Sequence, residues 1–276
     1  FEGSPYDRQA FQTARDAGFD LATLLLGWGW TDARGGAVDN AAIEQTFGIE
    51  KLRQQGFQLK AHGVVWLQDY GILPQRARAM TPPDLRDAML AQEQALLDVY
   101  GGGFAVWEAM NEPNVTNVVH APREVVVDLL GKSARQIVAR EGLHALINSA
   151  HEGDYGRKFA VYTLDNVPAN DWNRTYLSYL KDAEAREGVS QLDLVGLQYY
   201  PGFHFNESFG GLQGPATPPS WLIDTVERYE SLDRPIHITE FSVPSSYQPG
   251  WTSGYWREPW TEQTQADYAD MVFTFA

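Results

Sequence analysis

The sequence alternates short, continuously apolar segments with longer amphipathic ones, and this alternation constrains the fold more than any other feature. The apolar segments predict six strands, at 21–28, 57–66, 104–110, 143–150, 192–199 and 235–241. The amphipathic segments predict seven helices, at 7–17, 40–55, 82–100, 122–141, 171–187, 219–232 and 262–275. Strands that are apolar on both faces and alternate with helices indicate an α/β fold, a parallel sheet with helices packed on it.

Both an open doubly wound sheet and a closed (β/α)8 barrel fit this order of elements. No G-x-G-x-x-G follows a predicted strand and no G-x-x-x-x-G-K-[ST] occurs, so the glycine-rich phosphate loops of many open sheets are missing. A (β/α)8 TIM barrel has eight strands, two more than the six predicted. We therefore expect one domain over residues 1–276 that forms an incomplete barrel, without the first strand and the last β/α unit.

Charge and composition narrow the classes of ligand. The chain carries 21 Lys and Arg against 36 Asp and Glu, a formal net charge of −15. Phosphates and anionic lipids are bound through Lys and Arg, so we expect neither a nucleic-acid nor a membrane partner. The absence of cysteine excludes disulfides, zinc–thiolate sites and a cysteine nucleophile. Nine tryptophans offer flat apolar surfaces of the kind that stack on sugar rings.

Two predicted strands end in a carboxylate, Glu112 in the run W-E-A-M-N-E and Glu240 in the run I-H-I-T-E. In a barrel, residues at the carboxyl ends of the strands face the active site. Cleavage of a glycosidic bond needs two such acids, one to protonate the leaving oxygen and one to act on the anomeric carbon. Because the chain has 36 acidic residues, two of them could end up at strand ends by chance. The alternative interpretation is therefore that Glu112 and Glu240 are ordinary loop residues. Asn111, beside Glu112, could bond a substrate hydroxyl.

Four motifs in order resemble family 10 of the glycoside hydrolases, the endo-β-1,4-xylanases of a clan of retaining (β/α)8 enzymes. Their counterparts in the family are G-H-T-L-V-W in strand 3, W-D-V-V-N-E in strand 4, I-D-G-I-G-L-Q in strand 6 and I-H-I-T-E in strand 7. In this chain they are Lys60–Trp66, Trp107–Glu112, Leu192–Gln198 and Ile236–Glu240. The order and spacing agree over most of the chain.

The resemblance implies a role for each matched residue. Glu112 would be the acid/base, Glu240 the nucleophile, and Asn111 would bind the 2-hydroxyl of the sugar that is cleaved. The remaining matches would contact substrate, with His62 and Trp66 on the glycone side and Gln198 beneath the reacting sugar. The family needs no cofactor and no metal. Its substrate is a polysaccharide or oligosaccharide, and the resemblance further implies a monomer in an extracellular or periplasmic location.

Several positions depart from the family pattern. The family's E-N-x-M-K-W after strand 2 is replaced by the apolar and aromatic run 24–30, in which Trp28 and Trp30 are candidate sugar contacts. The family's histidine after strand 6, which bonds the nucleophile, is replaced in the run 198–200, where a tyrosine hydroxyl could make the same bond. Tyr200 of this run is a further candidate substrate contact. Trp256 lies in the loop after Glu240, where it could stack on sugar.

The sequence leaves other functions open. The chain could be a β-glucanase or β-mannanase of the same clan, or a non-catalytic carbohydrate-binding barrel. A weaker alternative is a metal-dependent hydrolase using the polar run 151–154, which lacks the H-E-x-x-H spacing of a helical metal site. His237 lies three residues before Glu240, so strand alternation predicts that it faces the opposite side and is structural.

Overall fold

The computed structural model describes residues 5–33, 37–67, 72–113, 121–140, 144–149, 172–187, 193–199, 223, 226–227, 229–241, 243–246 and 260–275. All structural statements refer to these residues. In this part of the chain no helix is both long and apolar enough to cross a membrane.

Six parallel strands form one sheet in the order in which they occur along the chain. They are β1 (Leu21–Leu25), β2 (Gln58–His62), β3 (Val106–Asn111), β4 (His144–Ser149), β5 (Leu194–Tyr199) and β6 (Ile236–Phe241). Within the described part of the chain, each of these strands pairs only with its sequence neighbours. Every predicted strand is confirmed, although β1 and β2 end several residues before the predicted limits because the chain leaves the sheet there. Two further strands of two residues each, Asp32–Ala33 and Ala37–Val38, pair antiparallel to one another.

The described helices are α1 (Pro5–Asp16), α2 (Trp28–Thr31), α3 (Asn40–Phe47), α4 (Ile49–Gln54), α5 (Pro82–Tyr100), α6 (Arg123–Val138), α7 (Trp172–Glu187) and α8 (Glu262–Phe275). Apart from the short helix α2, which was not predicted, they lie at predicted positions. The helix predicted at 219–232 lies partly outside the described residues. The start of α5 shows why the sequence predicts it well. The Thr81 hydroxyl donates to the Asp84 carboxylate at 2.6 Å, and the backbone N–H of Asp84 points back to that hydroxyl. Two prolines occupy the first turn, where no N–H is needed.

The single helix predicted at 40–55 is in fact two. Gly48 ends α3 with φ 60° and ψ 44°, and α4 begins at the next residue. A left-handed residue terminates an α-helix, and glycine adopts that conformation without a Cβ penalty. The amphipathic pattern continues across the break because both short helices bury an apolar face, with Ile43 on α3 and Leu52 on α4.

Two β-bulges interrupt the sheet next to the predicted acids. In β3, Glu108 pairs with Leu146 and Met110 with Ile147, so Ala109 has no register partner on β4. In β6, Ile238 pairs with Leu197 and Glu240 with Gln198, so Thr239 is the extra residue. A bulge shifts the alternation of side chains by one residue beyond it.

The bulges decide which side chains share a face. Glu108 and Asn111 pair with residues two apart on β4, so they lie on one face although they are three apart in sequence. His237 and Glu240 likewise pair with Gly196 and Gln198, and so share a face. The prediction that His237 faces away from Glu240 was wrong because regular alternation does not hold across the bulge.

The core lies between the sheet and the helices α3 to α7. The second to sixth residues of β3 are all buried, and Trp107 is inaccessible to solvent. This agrees with the expectation of strands covered on both faces. By contrast, β1 and β6, which flank the described sheet, are only partly buried.

Gly63, directly after β2, gives a direct test of the close packing at this end of the sheet. It has φ 66°, and a Cβ there would lie 2.5 Å from Leu25 Cδ1 and 3.3 Å from Trp66 Cε3. We expect Gly63→Ala to lower the free energy of unfolding by about 2 kcal/mol, through backbone strain and overpacking. Urea denaturation followed by tryptophan fluorescence measures this. Gly102→Ala is the matched control, because no atom lies within 4 Å of its Cβ position; its effect should stay below about 1 kcal/mol. Equal effects of the two substitutions would contradict the assignment.

Candidate active site

The carboxyl ends of four strands bring the predicted site residues to one edge of the sheet. His62 ends β2, Asn111 ends β3 and is followed by Glu112, and Gln198 and Glu240 lie near the ends of β5 and β6. All of these strands are parallel, so their carboxyl ends meet. Folding therefore brings together residues that are up to 178 positions apart in sequence.

Glu112 is a buried carboxyl group held by two neutral donors. Its side chain accepts a hydrogen bond from Trp66 Nε1 at 3.0 Å and from Gln198 Nε2 at 3.2 Å. The residue is 7% exposed and has φ 52°, a left-handed conformation that is unusual for a side chain with a Cβ. Burial, and to a smaller extent the charge of Glu240, raise the pKa of Glu112 to about 7, although the Gln198 and Trp66 hydrogen bonds act in the opposite direction.

Glu240 lies across from Glu112 and shares a hydrogen-bond donor with it. Gln198 Nε2 is 3.1 Å from Glu240 Oε1, and an amide nitrogen has two hydrogens, so it can donate to both acids. His62 Nε2 lies 3.7 Å from the same Glu240 oxygen. The Glu240 side chain is 24% exposed, so it is more accessible than Glu112.

The shared donor limits how far apart the two acids can be. The Glu112 and Glu240 oxygens that contact Gln198 Nε2 cannot be further apart than those two contacts laid end to end. The two carboxyl groups are therefore close neighbours at this edge of the sheet. Glycosidases place such a pair of acids on either side of the bond that they cleave.

A buried chain of charges lies behind Glu240. His62 Nδ1 is 2.6 Å from Glu108 Oε2, which also accepts the backbone N–H of Gly63 at 2.8 Å. Lys60 Nζ lies 3.6 Å from the other Glu108 oxygen. Burial raises the pKa of Glu108, but the charges of His62 and Lys60 and these hydrogen bonds outweigh it, so the net pKa is below the ordinary value.

The same contacts act on His62 with the opposite sign. Burial lowers the pKa of the His62 imidazole, but the charge and hydrogen bond of Glu108, and the charge of Glu240, raise it above its ordinary value. The imidazolium form can donate from both ring nitrogens, one toward Glu108 and the other toward Glu240. Glu108 therefore orients His62 and favours a positive charge beside Glu240.

Asn111 and Trp66 are held together at the end of β3. Asn111 is 1% exposed, and its backbone N–H donates to Val65 O at 2.9 Å. Trp66 forms an isolated parallel bridge with Asn111, which aims the indole N–H at Glu112. These contacts bring five predicted site residues into one cluster, namely His62, Trp66, Asn111, Glu112 and Gln198, with Glu240 opposite.

Of the four remaining predicted sugar contacts, two lie within the described residues. Trp28 is buried, 2% exposed, with the Arg76 guanidinium 5.2 Å from its ring centroid, so its ring offers no open face to a sugar. Its burial in the core explains the difference from the sequence expectation. Trp30 is 48% exposed. Tyr200 and Trp256 lie outside the described residues.

Sequence reasoning missed the two charged residues that support His62. Lys60 on β2 and Glu108 on β3 form a charged pair, and both are almost completely buried. Burying an unpaired charge in a strand costs free energy. Two opposite charges in strands predicted to be buried were therefore a signal that each is paired with an opposite charge. Their pairing could not be deduced because it depends on the register between β2 and β3.

No metal site is evident in the described part of the chain, where no group of three or more His, Asp or Glu side chains is arranged to hold an ion. The polar run 151–154 lies outside the described residues.

The fold is similar to that of solved family 10 xylanases. A Thermobacillus composti GH10 xylanase matches with a TM-score of 0.62 and 16% identity, over 95% of this chain and 75% of its own. A Penicillium canescens endo-1,4-beta-xylanase matches with a TM-score of 0.63 and 14% identity, over 97% of this chain and 73% of its own. Thermotoga petrophila xylanase 10B, solved in complex with xylobiose, matches with a TM-score of 0.60 and 16% identity, over 87% of this chain and 66% of its own. No protein-family model and no curated protein matches the chain.

These similarities establish a divergent fold of the family 10 glycoside hydrolase type. The predicted resemblance is thereby confirmed at the level of the fold. Identities of 14–16% do not carry an activity from one protein to another, because a fold supports many chemistries and function is decided by the site.

The charged pair behind His62 can be tested through stability. We expect Glu108→Gln to lower the free energy of unfolding by about 3–5 kcal/mol, because it leaves the Lys60 ammonium buried without a counter-charge. The double variant Lys60→Met with Glu108→Gln should recover a large part of that loss. Urea denaturation of the two single variants and the double variant gives the coupling energy. Additive losses would show that the two side chains do not interact.

Glu112 should make stability fall as the pH rises. Its pKa is about 7 in the folded protein against an ordinary 4.5, so the unfolded chain releases the proton first. The protein is free of this penalty below pH 4.5 and bears it fully above pH 7. Glu112→Gln should therefore raise stability relative to wild type by about 3 kcal/mol at pH 8 and by much less at pH 4.

Urea denaturation at both pH values measures the Glu112 difference. The exposed Glu227, changed to Gln, is the control, and it should show no such pH-dependent gain. A Glu112→Gln difference that is the same at pH 4 and pH 8 would show that the carboxyl is not raised in pKa by burial.

Proposed function

We propose that this protein is a retaining endo-β-1,4-glycoside hydrolase that cleaves a plant polysaccharide, with xylan as its substrate. The observation that carries the proposal is the pair Glu112 and Glu240, held on one amide, Gln198, at the carboxyl ends of parallel strands. The two acids have different surroundings, one buried among neutral donors and one beside a histidine. Different environments are what assign two carboxyl groups to different roles.

The reaction follows from these surroundings. Glu240 attacks the anomeric carbon while Glu112, with a pKa of about 7, donates its proton to the leaving oxygen. This forms a covalent glycosyl–enzyme and releases the aglycone. Glu112 then takes a proton from water, the water attacks the anomeric carbon, and the bond to Glu240 breaks, so the product keeps its original configuration.

The other site residues would hold the substrate. Asn111 would bond the 2-hydroxyl, His62 and Trp66 would line the glycone side, and Gln198 would lie beneath the reacting sugar. Trp30 is the exposed aromatic available for stacking. Tyr200 and Trp256 are the further proposed contacts.

The finer features of the fold and setting belong to the same proposal. The six described strands would be strands 2 to 7 of a single (β/α)8 domain. The partner would be a saccharide, as in the Thermotoga petrophila xylanase solved with xylobiose. A monomer that acts outside the cytoplasm would suit a polymeric substrate, and no cofactor enters the chemistry.

A different polysaccharide is the second candidate. Leu24 and Leu26 are buried apolar residues in the run where the family carries Asn and Lys for the distal sugar. That change favours a β-glucanase or β-mannanase of the same clan. A carbohydrate-binding barrel without turnover is the alternative from another class.

Hydrolysis of aryl β-xylobioside, β-cellobioside and β-mannobioside separates these functions. We expect turnover of the xylobioside, a loss of at least about a thousandfold in Glu240→Ala, and rescue of that variant by azide with an inverted glycosyl azide product. NMR of the wild-type reaction should show the β-anomer first. Turnover of only the cellobioside or the mannobioside would replace xylan as the proposed substrate. Sugar binding without turnover by the folded wild-type protein would favour the carbohydrate-binding barrel.

A further inference from the structure

Glu93 is a buried acid outside the site already described. It lies in α5, is inaccessible to solvent, and its Oε1 is in hydrogen-bond contact with the Ser133 hydroxyl on α6. Ser133 is equally buried, and its Oγ lies 2.6 Å from the carbonyl oxygen of Ala109. The contacts thus run from one helix through a second helix to a strand.

The strand residue at the end of this chain of contacts is the bulge of β3. Ala109 is the residue without a register partner on β4, between Glu108 and Met110. The bulge puts Asn111 on the same face as Glu108 and leads directly into Glu112. Any shift of the Ala109 peptide would therefore rotate the segment that carries the acid/base.

Counting protons limits the directions that the two hydrogen bonds of Ser133 can take. A serine hydroxyl has one proton and a carbonyl oxygen can only accept. If Ser133 donates to Ala109 O, it must accept from Glu93, which is then a protonated acid. Burial raises the pKa of Glu93 to about 8, against a smaller opposing effect of the Ser133 hydrogen bond. Glu93 is therefore mostly protonated at neutral pH, and both contacts can be hydrogen bonds.

We propose that Glu93 and Ser133 are positioning residues that hold the Ala109 bulge and thereby aim Glu112 at the leaving-group oxygen. This inference rests on the proposed function of Glu112 as the acid/base. Glu93 lies on α5 and Ser133 on α6, both on helices that pack against the sheet. Their effect passes through the backbone of β3.

The dependence of activity on the leaving group distinguishes positioning from general stability. A poor leaving group such as phenol needs the proton from Glu112, whereas dinitrophenol departs with little assistance. We expect Ser133→Ala to lower kcat/KM about tenfold or more on phenyl β-xylobioside and less than about threefold on the dinitrophenyl substrate. Leu97→Ala is the matched control, a buried residue of α5 whose loss should affect both substrates equally.

Variants of Glu93 give a second test that keeps the helices packed. The amide of Glu93→Gln can donate to Ser133 Oγ as the protonated acid does, so this variant should retain near wild-type kcat/KM on both substrates. Glu93→Leu has no donor and should reproduce the leaving-group dependence of Ser133→Ala. Equal losses on the two substrates in Ser133→Ala, or no difference between the Gln and Leu variants, would overturn the proposal.

Crystal structures of wild type and the Glu93→Leu variant decide the inference independently of turnover. We expect the Glu112 carboxyl of the variant to leave its contacts with Trp66 Nε1 and Gln198 Nε2. An unmoved Glu112 would overturn the positioning role even in an active enzyme. A wild type that hydrolyses none of the substrates would refute the proposed function, while the two structures would still decide whether Glu93 holds the bulge.

Discussion

The candidate site depends on the departure of two strands from regular pairing. The bulges at Ala109 and Thr239 each add one residue just before an acid-bearing strand end. Without them, the alternation of side chains would aim Asn111 and Glu240 at the other face of the sheet. A parallel sheet brings strand ends together, but the bulges determine that the polar side chains of neighbouring strands converge.

The two acids are then differentiated by what surrounds them. Glu112 accepts from the neutral groups of Trp66 and Gln198, and burial is the largest effect on its pKa and favours its protonated form. Glu240 faces His62, whose positive form is favoured by Glu108. One amide, on Gln198, spans the pair. The surroundings of the two neighbouring acids thus favour a proton on Glu112 and a positive charge beside Glu240.

The sequence predicted the fold to the extent that local signals agreed with burial. The limits of α5 follow from the cap at Thr81, and β3 from a run of buried side chains. The prediction of one helix at 40–55 was wrong because an amphipathic pattern does not reveal a single left-handed residue, Gly48. The prediction for the face of His237 was wrong because a bulge depends on pairing with the adjacent strand.

For the site, sequence by itself determined the residue types and their order, including both acids at strand ends, because motif spacing is a local property. Tertiary structure alone decided which of them meet. It buried Trp28 beneath Arg76, paired Lys60 with Glu108, and set Gln198 between the acids. Each of these three contacts depends on the register between strands and on the removal of side chains from water. Register and burial arise only when strands that are distant in sequence pack together.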